Sequence, residues 1–136
     1  MNKKFVLLIL LLFVVTGCGG SVMSKTAFKD KYTSFDWYAV MQQTPENQHW
    51  YVNCFDISEE EFKTSLNQIY GECIKRELAG MPPEVTARDE ARFQTSIDNC
   101  FFIKYTSKYK DRFTFDKAPR YIDQCKKVQQ AISMQK

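Results

Sequence analysis

The chain has 136 residues, a formal net charge of +3 and aromatic side chains at 15% of its positions. Its length suffices for one domain and is too short for two comfortable ones. Its 19 basic and 16 acidic side chains lack the clustered positive excess that phosphate neutralisation needs, which excludes nucleic acid as the expected partner.

The first 17 residues have the pattern of a cleavable export signal. Lys3 and Lys4 precede eleven consecutive apolar residues at 5–15, and the small residue Gly17 follows. The apolar run is well short of the ~20 residues that a membrane-spanning helix needs. A cleaved signal peptide is therefore favoured over its alternative, a permanent anchor helix.

The signal ends in Val15-Thr16-Gly17-Cys18, which resembles the lipobox of bacterial lipoproteins. In that family the cysteine receives a diacylglycerol on its sulfur and becomes the acylated N-terminus after cleavage. Val15 and Thr16 depart from the usual Leu and Ala or Ser, whereas Gly17 and Cys18 match. Gly19 after the cysteine is similar to the outer-membrane sorting pattern. The resemblance implies a protein lipidated at Cys18, anchored to the outer membrane and facing the periplasm, with ~0.8 kcal/mol gained per buried methylene.

The remaining chain divides into a short tether and one domain. Residues 18–25 include Gly19-Gly20-Ser21 and are expected to form a lipid-anchored flexible spacer. Residues 26–136 are expected to form a single helical domain. Once residues 1–17 are removed, 17 basic and 16 acidic side chains remain.

Aromatic residues at spacings of three and four predict a first helix over 26–43, which Pro45 ends. The segment 49–55 is short and aromatic, and it fits either an extended segment or a packed loop. Ser58 and Glu61 form a capping-box pattern that begins a second helix, which ends at Gly80. Gly71 is a weak point inside that helix.

Two more helices follow. The third is predicted over about 84–105, with Thr86 and Asp89 as a second capping pair. For the fourth, Asp116 is a plausible N-cap and Pro119 is tolerated in the first turn. These patterns predict an all-α fold, a small bundle of about four helices.

Four cysteines remain after Cys18 is assigned to lipid, and in an exported chain they predict two disulfides. They are Cys54, Cys73, Cys100 and Cys125. No two of them lie two to four residues apart, as structural zinc ligands usually do, so no metal site is expected.

Helix geometry ranks the three possible pairings of these cysteines. A continuous second helix places Cys73 about 22 Å beyond Ser58, too far for Cys54, which reaches back about 14 Å. A tight hairpin at 80–83 places Cys73 and Cys100 about 10 and 25 Å from the turn, which disfavours their pairing. The preferred pairing is therefore Cys54–Cys100 with Cys73–Cys125, although a break at Gly71 would readmit Cys54–Cys73.

Residues for catalysis are sparse, so the chain is expected to be neither an enzyme nor a cofactor-binding protein. His49 is the only histidine, and no serine or aspartate motif surrounds it. The run Glu59-Glu60-Glu61 is explained by the helix cap and the helix dipole.

Two features suggest a protein partner. Eight aromatic residues fall within 28 positions, more than a small domain buries easily, although a purely structural core is the alternative. Residues 18–100 carry a net −5 and residues 101–136 a net +6, which suggests a basic edge facing anionic lipid or an acidic partner rather than a merely solvated face. The candidate partner-binding residues are Trp37, Tyr38, Trp50, Tyr51, Lys108, Lys110 and Arg112.

Together these patterns predict a non-catalytic lipoprotein that acts as an envelope binding or adaptor protein. Small helical secretion pilotins are one lipoprotein class with such an architecture, although no pilotin motif is present. The alternative is a periplasmic immunity protein, or an inhibitor of a toxin or hydrolase.

Overall fold

The structure is a computed structural model that describes residues 20–135, so the predicted signal peptide and Cys18 lie outside the described residues. Six helices account for most of the described chain. They are α1 (Lys25–Thr33), α2 (Trp37–Gln42), α3 (Trp50–Asn53), α4 (Glu59–Ala79), α5 (Ala87–Tyr109) and α6 (Ile122–Ser133). Within residues 20–135, none of the helices combines the length and the apolar character of a membrane span.

The all-α class and the two disulfides are confirmed. Four helices have nine or more residues, and α2 and α3 are short, with six and four residues. Two short strands, β1 (Met23–Ser24) and β2 (Glu84–Val85), form an antiparallel pair of two residues each. This pair joins the end of the predicted spacer to the connection between α4 and α5.

The predicted first helix is two helices. α1 ends at Thr33, and the carboxylate of Asp36 accepts hydrogen bonds from the amides of Tyr38 and Ala39, which begins α2. An aspartate before an aromatic run competes with helix continuation because its side chain satisfies the amides of a new helix end. The prediction of one helix over 26–43 is therefore wrong at this point.

The two long helices begin at the predicted caps. Ser58 accepts from the amide of Glu61, and Thr86 and Asp89 form a reciprocal capping box. α5 begins three residues later than the predicted 84 because Glu84–Val85 pairs with β1.

The preferred disulfide pairing is wrong: Cys54 bonds Cys125 and Cys73 bonds Cys100, with Cα separations of 5.3 and 5.9 Å. The connection over 80–86 is not a tight turn, since it contains strand β2. α5 therefore begins about 10 Å beyond the end of α4 at 1.5 Å per residue, and Cys100 comes level with Cys73. The same register puts Ser65 beside Tyr109.

The end of the chain also differs from the prediction. Asp116 does not cap a helix; its amide donates to the Thr114 hydroxyl at 3.1 Å. A 3-10 turn at Pro119–Tyr121 leads into α6, which begins without a side-chain cap. The aromatic segment 49–55, expected as an extended segment or a packed loop, contains helix α3.

The core lies between α4, α5 and the helices that cross them. Its largest fully buried side chains include Phe28, Phe55, Phe62 and Tyr105. The Tyr105 hydroxyl donates to the Tyr51 carbonyl at 2.6 Å, which ties α5 to α3. Most of the aromatic side chains thus pack in or against the core. The candidate site therefore lies on the helix surfaces outside it.

Candidate functional site

A groove of about 850 Å³ runs between α1 and α4 and is bounded at one end by the turn before α2. We call it the lysine-rimmed groove. The buried side chains of Tyr32, Ile74 and Leu78 form its apolar floor. The lining also includes four lysines, Lys25, Lys29, Lys63 and Lys75.

One face of α4 supplies a whole wall of the groove. Lys63, Asn67, Gly71 and Lys75 recur every fourth residue, so each lies above the one before it and the row winds slowly around the helix. From Lys63 to Ala79 this wall is about 24 Å long at 1.5 Å per residue. The groove is therefore long enough for about four turns of a second helix.

Stacked rings fix the closed end of the groove. Trp37 lies parallel to Tyr70 with 4.3 Å between ring centroids, and Tyr70 stacks on Phe101 of α5 at 4.5 Å. Phe35, also in the lining, is 39% exposed. An exposed aromatic ring beside a rigid stack is the kind of group that anchors protein interfaces.

The opposite wall is held by α1. The Lys25 ammonium donates to the carbonyls of Ala79 and Met81, at 3.4 and 2.9 Å, and so caps the C-terminal end of α4. The Tyr32 hydroxyl donates to Glu90 of α5 at 2.9 Å. Burial, aided by the Glu90 carboxylate, raises the pKa of Tyr32, so this contact holds as a neutral phenol.

The charge of the groove is unbalanced. Among the described side chains, Lys29, Lys63 and Lys75 form no ion pair. Lys63 lies over the ring of Tyr38 at 5.2 Å, and Asp36 is the one carboxylate in the lining. Three lysine cations on an apolar groove favour a ligand that is both apolar and negatively charged.

Gly71 lies in the middle of the α4 wall. Apart from its chain neighbours and the backbone of its own helix turn, no atom of the described chain comes within 4 Å of the place where a Cβ would stand, and its φ is negative. Neither close packing nor backbone conformation requires a glycine here. A glycine inside a helix costs about 1 kcal/mol relative to alanine, and no contact among residues 20–135 offsets that cost.

The structure disperses the aromatic residues predicted to bind a partner. Trp37 lines the groove. Tyr51 is buried against Phe62 at 5.0 Å, and Trp50 packs edge-on against Phe102 at 5.1 Å. Tyr38 is half-buried and donates its hydroxyl to Glu59. Partner binding by these four residues stays a prediction, and only Trp37 coincides with the groove.

The predicted basic edge is largely engaged within the chain. Lys108 donates to Ser65 at 2.8 Å, and Arg112 pairs with Glu61 at 2.7 Å. The Arg112 guanidinium lowers the pKa of the Glu61 carboxyl. Lys110 is exposed. This edge is separate from the groove lining, and its binding role also stays a prediction.

The fold assembles one chemical cluster that sequence analysis missed. Lys108 Nζ donates to Ser65 Oγ, and the Ser65 and Tyr109 hydroxyls share a hydrogen bond. A serine beside a lysine is a possible nucleophile with its base. Ser65 is 2% exposed, however, so a substrate carbonyl has no direct approach to it. The cluster braces α4 against α5.

Within the described residues, the His49 side chain hydrogen-bonds only Thr44, and its ring stacks on that of Tyr51 with 5.8 Å between centroids. Its Nε2 lies 2.7 Å from the Thr44 hydroxyl and 3.1 Å from the Thr44 carbonyl. Within residues 20–135 no three metal-binding side chains converge.

No known protein family, no curated protein and no solved structure matches this chain. Sequence analysis missed the groove because its two walls are far apart in the chain. The signal that was available is the recurrence of Lys63, Asn67, Gly71 and Lys75 on the polar side of a helix, around a glycine already noted as unusual.

Proposed function

We propose that this chain is a non-catalytic outer-membrane lipoprotein that holds a protein partner in the cell envelope through the lysine-rimmed groove. The single observation that carries the proposal is the groove itself: an apolar floor beside an α4 wall about 24 Å long, bordered by lysines that the described chain leaves without acidic partners.

The tether supports this role. Lipidation at Cys18 would place the anchor five residues before β1, which begins at Met23. A chain of that length spans at most about 17 Å. Lys25 lies at the β1 end of the groove, so that end would stay close to the membrane surface and a captured partner would be held there.

The disulfides support it as well. The rings at the closed end of the groove are fixed against α4 and α5, which Cys73–Cys100 joins covalently. A preformed groove loses less conformational entropy on binding than a flexible one. Such rigidity suits a protein whose task is to bind.

The test of the binding role is photocrosslinking in living cells. A benzoylphenylalanine at Asn67, inside the groove, should give a discrete adduct with an envelope protein. The same group at Thr95, an exposed position on α5 outside the groove, is the matched control and should not give that adduct. Adducts at Thr95 but not at Asn67 would contradict the proposal.

The identity of the adduct decides between the two roles. A resident secretion or envelope component supports the adaptor. A toxin or hydrolase in the adduct would instead support the immunity or inhibitor role and would replace the adaptor proposal.

The anchor has its own test. Cys18→Ala should release the protein or mislocalise it, and globomycin should cause the uncleaved precursor to accumulate. Normal processing and membrane retention in both experiments would remove the lipoprotein part of the proposal.

A further inference from the structure

The lysines of the groove are spread along its length instead of being gathered at one mouth. Lys63 and Lys75 stand on the α4 wall 12 residues apart, about 18 Å, and Lys29 stands on the α1 wall. A ligand that satisfies all three must carry several negative charges at intervals. An acidic amphipathic helix does so, because its apolar stripe fits the floor and its flanking carboxylates face both walls.

Gly71 adds a second observation. Its missing side chain leaves open space on the groove side of α4, and no part of the described fold fills that space. Small residues at a helix–helix contact let the two backbones approach closely, a rule best documented for helices in membranes. A glycine that lowers helix stability without internal benefit is explained when an external helix packs over it.

We infer that the lysine-rimmed groove binds an acidic amphipathic helix of the partner protein, and that this helix crosses α4 most closely at Gly71. The inference rests on the proposed function and adds the chemistry of the occupant. It also implies that Gly71 serves binding, although a glycine at this position lowers the stability of helix α4.

A single-chain anionic lipid is the competing occupant. Its one headgroup would engage the cations of one end and leave the others without a counter-charge. The 18 Å between Lys63 and Lys75 therefore favours the helix.

The experiment selects helical peptides that bind the processed protein. The protein is isolated from cells and held in nanodiscs of neutral phosphatidylcholine. The probe is a displayed library of 18-residue helices with leucine fixed at every third or fourth position and Glu, Gln or Lys allowed at the flanking positions. Enrichment of Glu at those positions is expected. Enrichment of Lys, or no enrichment, would overturn the inference.

The variants then use the most enriched peptide in an anisotropy titration. Gly71→Leu should weaken binding at least about tenfold, since it overfills the contact. Lys29→Glu, Lys63→Glu and Lys75→Glu should each weaken it about two- to fivefold. Thr95→Leu on α5 is the control for the added bulk of Gly71→Leu, and Lys127→Glu on α6 is the control for the charge reversals. Both should leave the affinity unchanged.

Gly71→Ala separates binding from folding. It should raise the melting temperature by about 4 °C because alanine is the better helix former. It should also weaken peptide binding about threefold, where a purely structural role for Gly71 predicts no loss. Unchanged affinity in both Gly71→Ala and Gly71→Leu would sink the assignment of Gly71.

Lipid competition completes the test. Palmitate and phosphatidylglycerol vesicles are titrated against the bound peptide, and neither should displace it. Displacement at low concentration would identify a lipid site and overturn the inference. The crosslink at Asn67 would then still decide the proposed function, so the two ideas can fail separately.

Discussion

At the scale of single residues, the buried tyrosine hydroxyls do more than fill volume. Tyr105 is fully buried, and its hydroxyl donates to the Tyr51 carbonyl at 2.6 Å. Ser65 likewise meets the Tyr109 hydroxyl inside the α4–α5 contact. Each such bond pairs a polar atom that burial would otherwise leave without a partner. Removing one partner therefore costs more free energy than the intact bond contributes to stability, because the other atom stays buried and unpaired.

Tyr105→Phe tests this directly. The change keeps the ring and leaves the Tyr51 carbonyl without that donor, so we expect a loss of about 1–3 kcal/mol in the free energy of unfolding. Urea titration followed by circular dichroism measures it. Tyr38→Phe is the control, since the Tyr38 hydroxyl bonds Glu59 at an exposed position, and it should cost less than about 0.5 kcal/mol. Equal losses in the two variants would show that burial of the hydroxyl is not decisive.

At the scale of elements, local patterns predicted where the two long helices begin. Ser58 with Glu61 and Thr86 with Asp89 begin α4 and α5, because a cap is a contact between residues three apart. The break at Asp36 was missed, since helical spacing of aromatics continues across it.

The disulfide pairing and the groove could not be predicted in the same way. Both depend on the connection after α4, where Glu84–Val85 pairs with residues about 60 positions earlier and carries the start of α5 beyond the end of α4. Nothing local marks that pairing. The all-α class could be predicted without knowledge of this long-range pairing, whereas the position of Cys100 relative to Cys73 could not.

Helix α6 is expected to depend on its disulfide. It buries only Cys125 and Val128 and has no side-chain cap. The Cys54→Ala/Cys125→Ala variant should therefore lose about 4 kcal/mol from a bridge that spans 71 residues, and α6 amides should lose protection from hydrogen exchange.

The Cys73→Ala/Cys100→Ala variant is the matched comparison. Its bridge spans 27 residues and should be worth about 3.5 kcal/mol, but α6 should keep its protection because Cys54–Cys125 remains. Persistent protection of α6 after loss of its own disulfide would contradict this view of the element.

At the scale of the whole molecule, the aromatic core sets the response to alkali. Burial, as the largest cause, raises the pKa of Tyr32, Tyr70 and Tyr105 above the ordinary value of about 10. The carboxylates of Glu90 and Asp98 add to the effect at Tyr32 and Tyr70, and the Glu61 carboxylate adds to it at Tyr105. The folded chain therefore keeps these three protons at a pH where the unfolded chain releases them.

The sign of the pH dependence follows from this difference. Below pH 10 both states are protonated and the stabilisation is complete; as the pH rises beyond 10, the unfolded state ionises first and the free energy of unfolding falls. At pH 11 the loss should be on the order of 1 kcal/mol per tyrosine. Urea midpoints between pH 8 and 11, taken quickly with a thiol-blocking reagent present, measure it, and absorbance at 295 nm reports phenolate.

Tyr105→Phe supplies the internal control for this alkaline loss. The variant starts from a lower stability but lacks one of these three phenols, so its stability should fall less steeply than that of the native chain above pH 10. Parallel curves for the two proteins would mean that Tyr105 ionises alike in the folded and unfolded states. The packing of α5 against α3 and α4 would then have to admit water around that hydroxyl, against the burial on which both the residue-scale and the whole-molecule predictions depend.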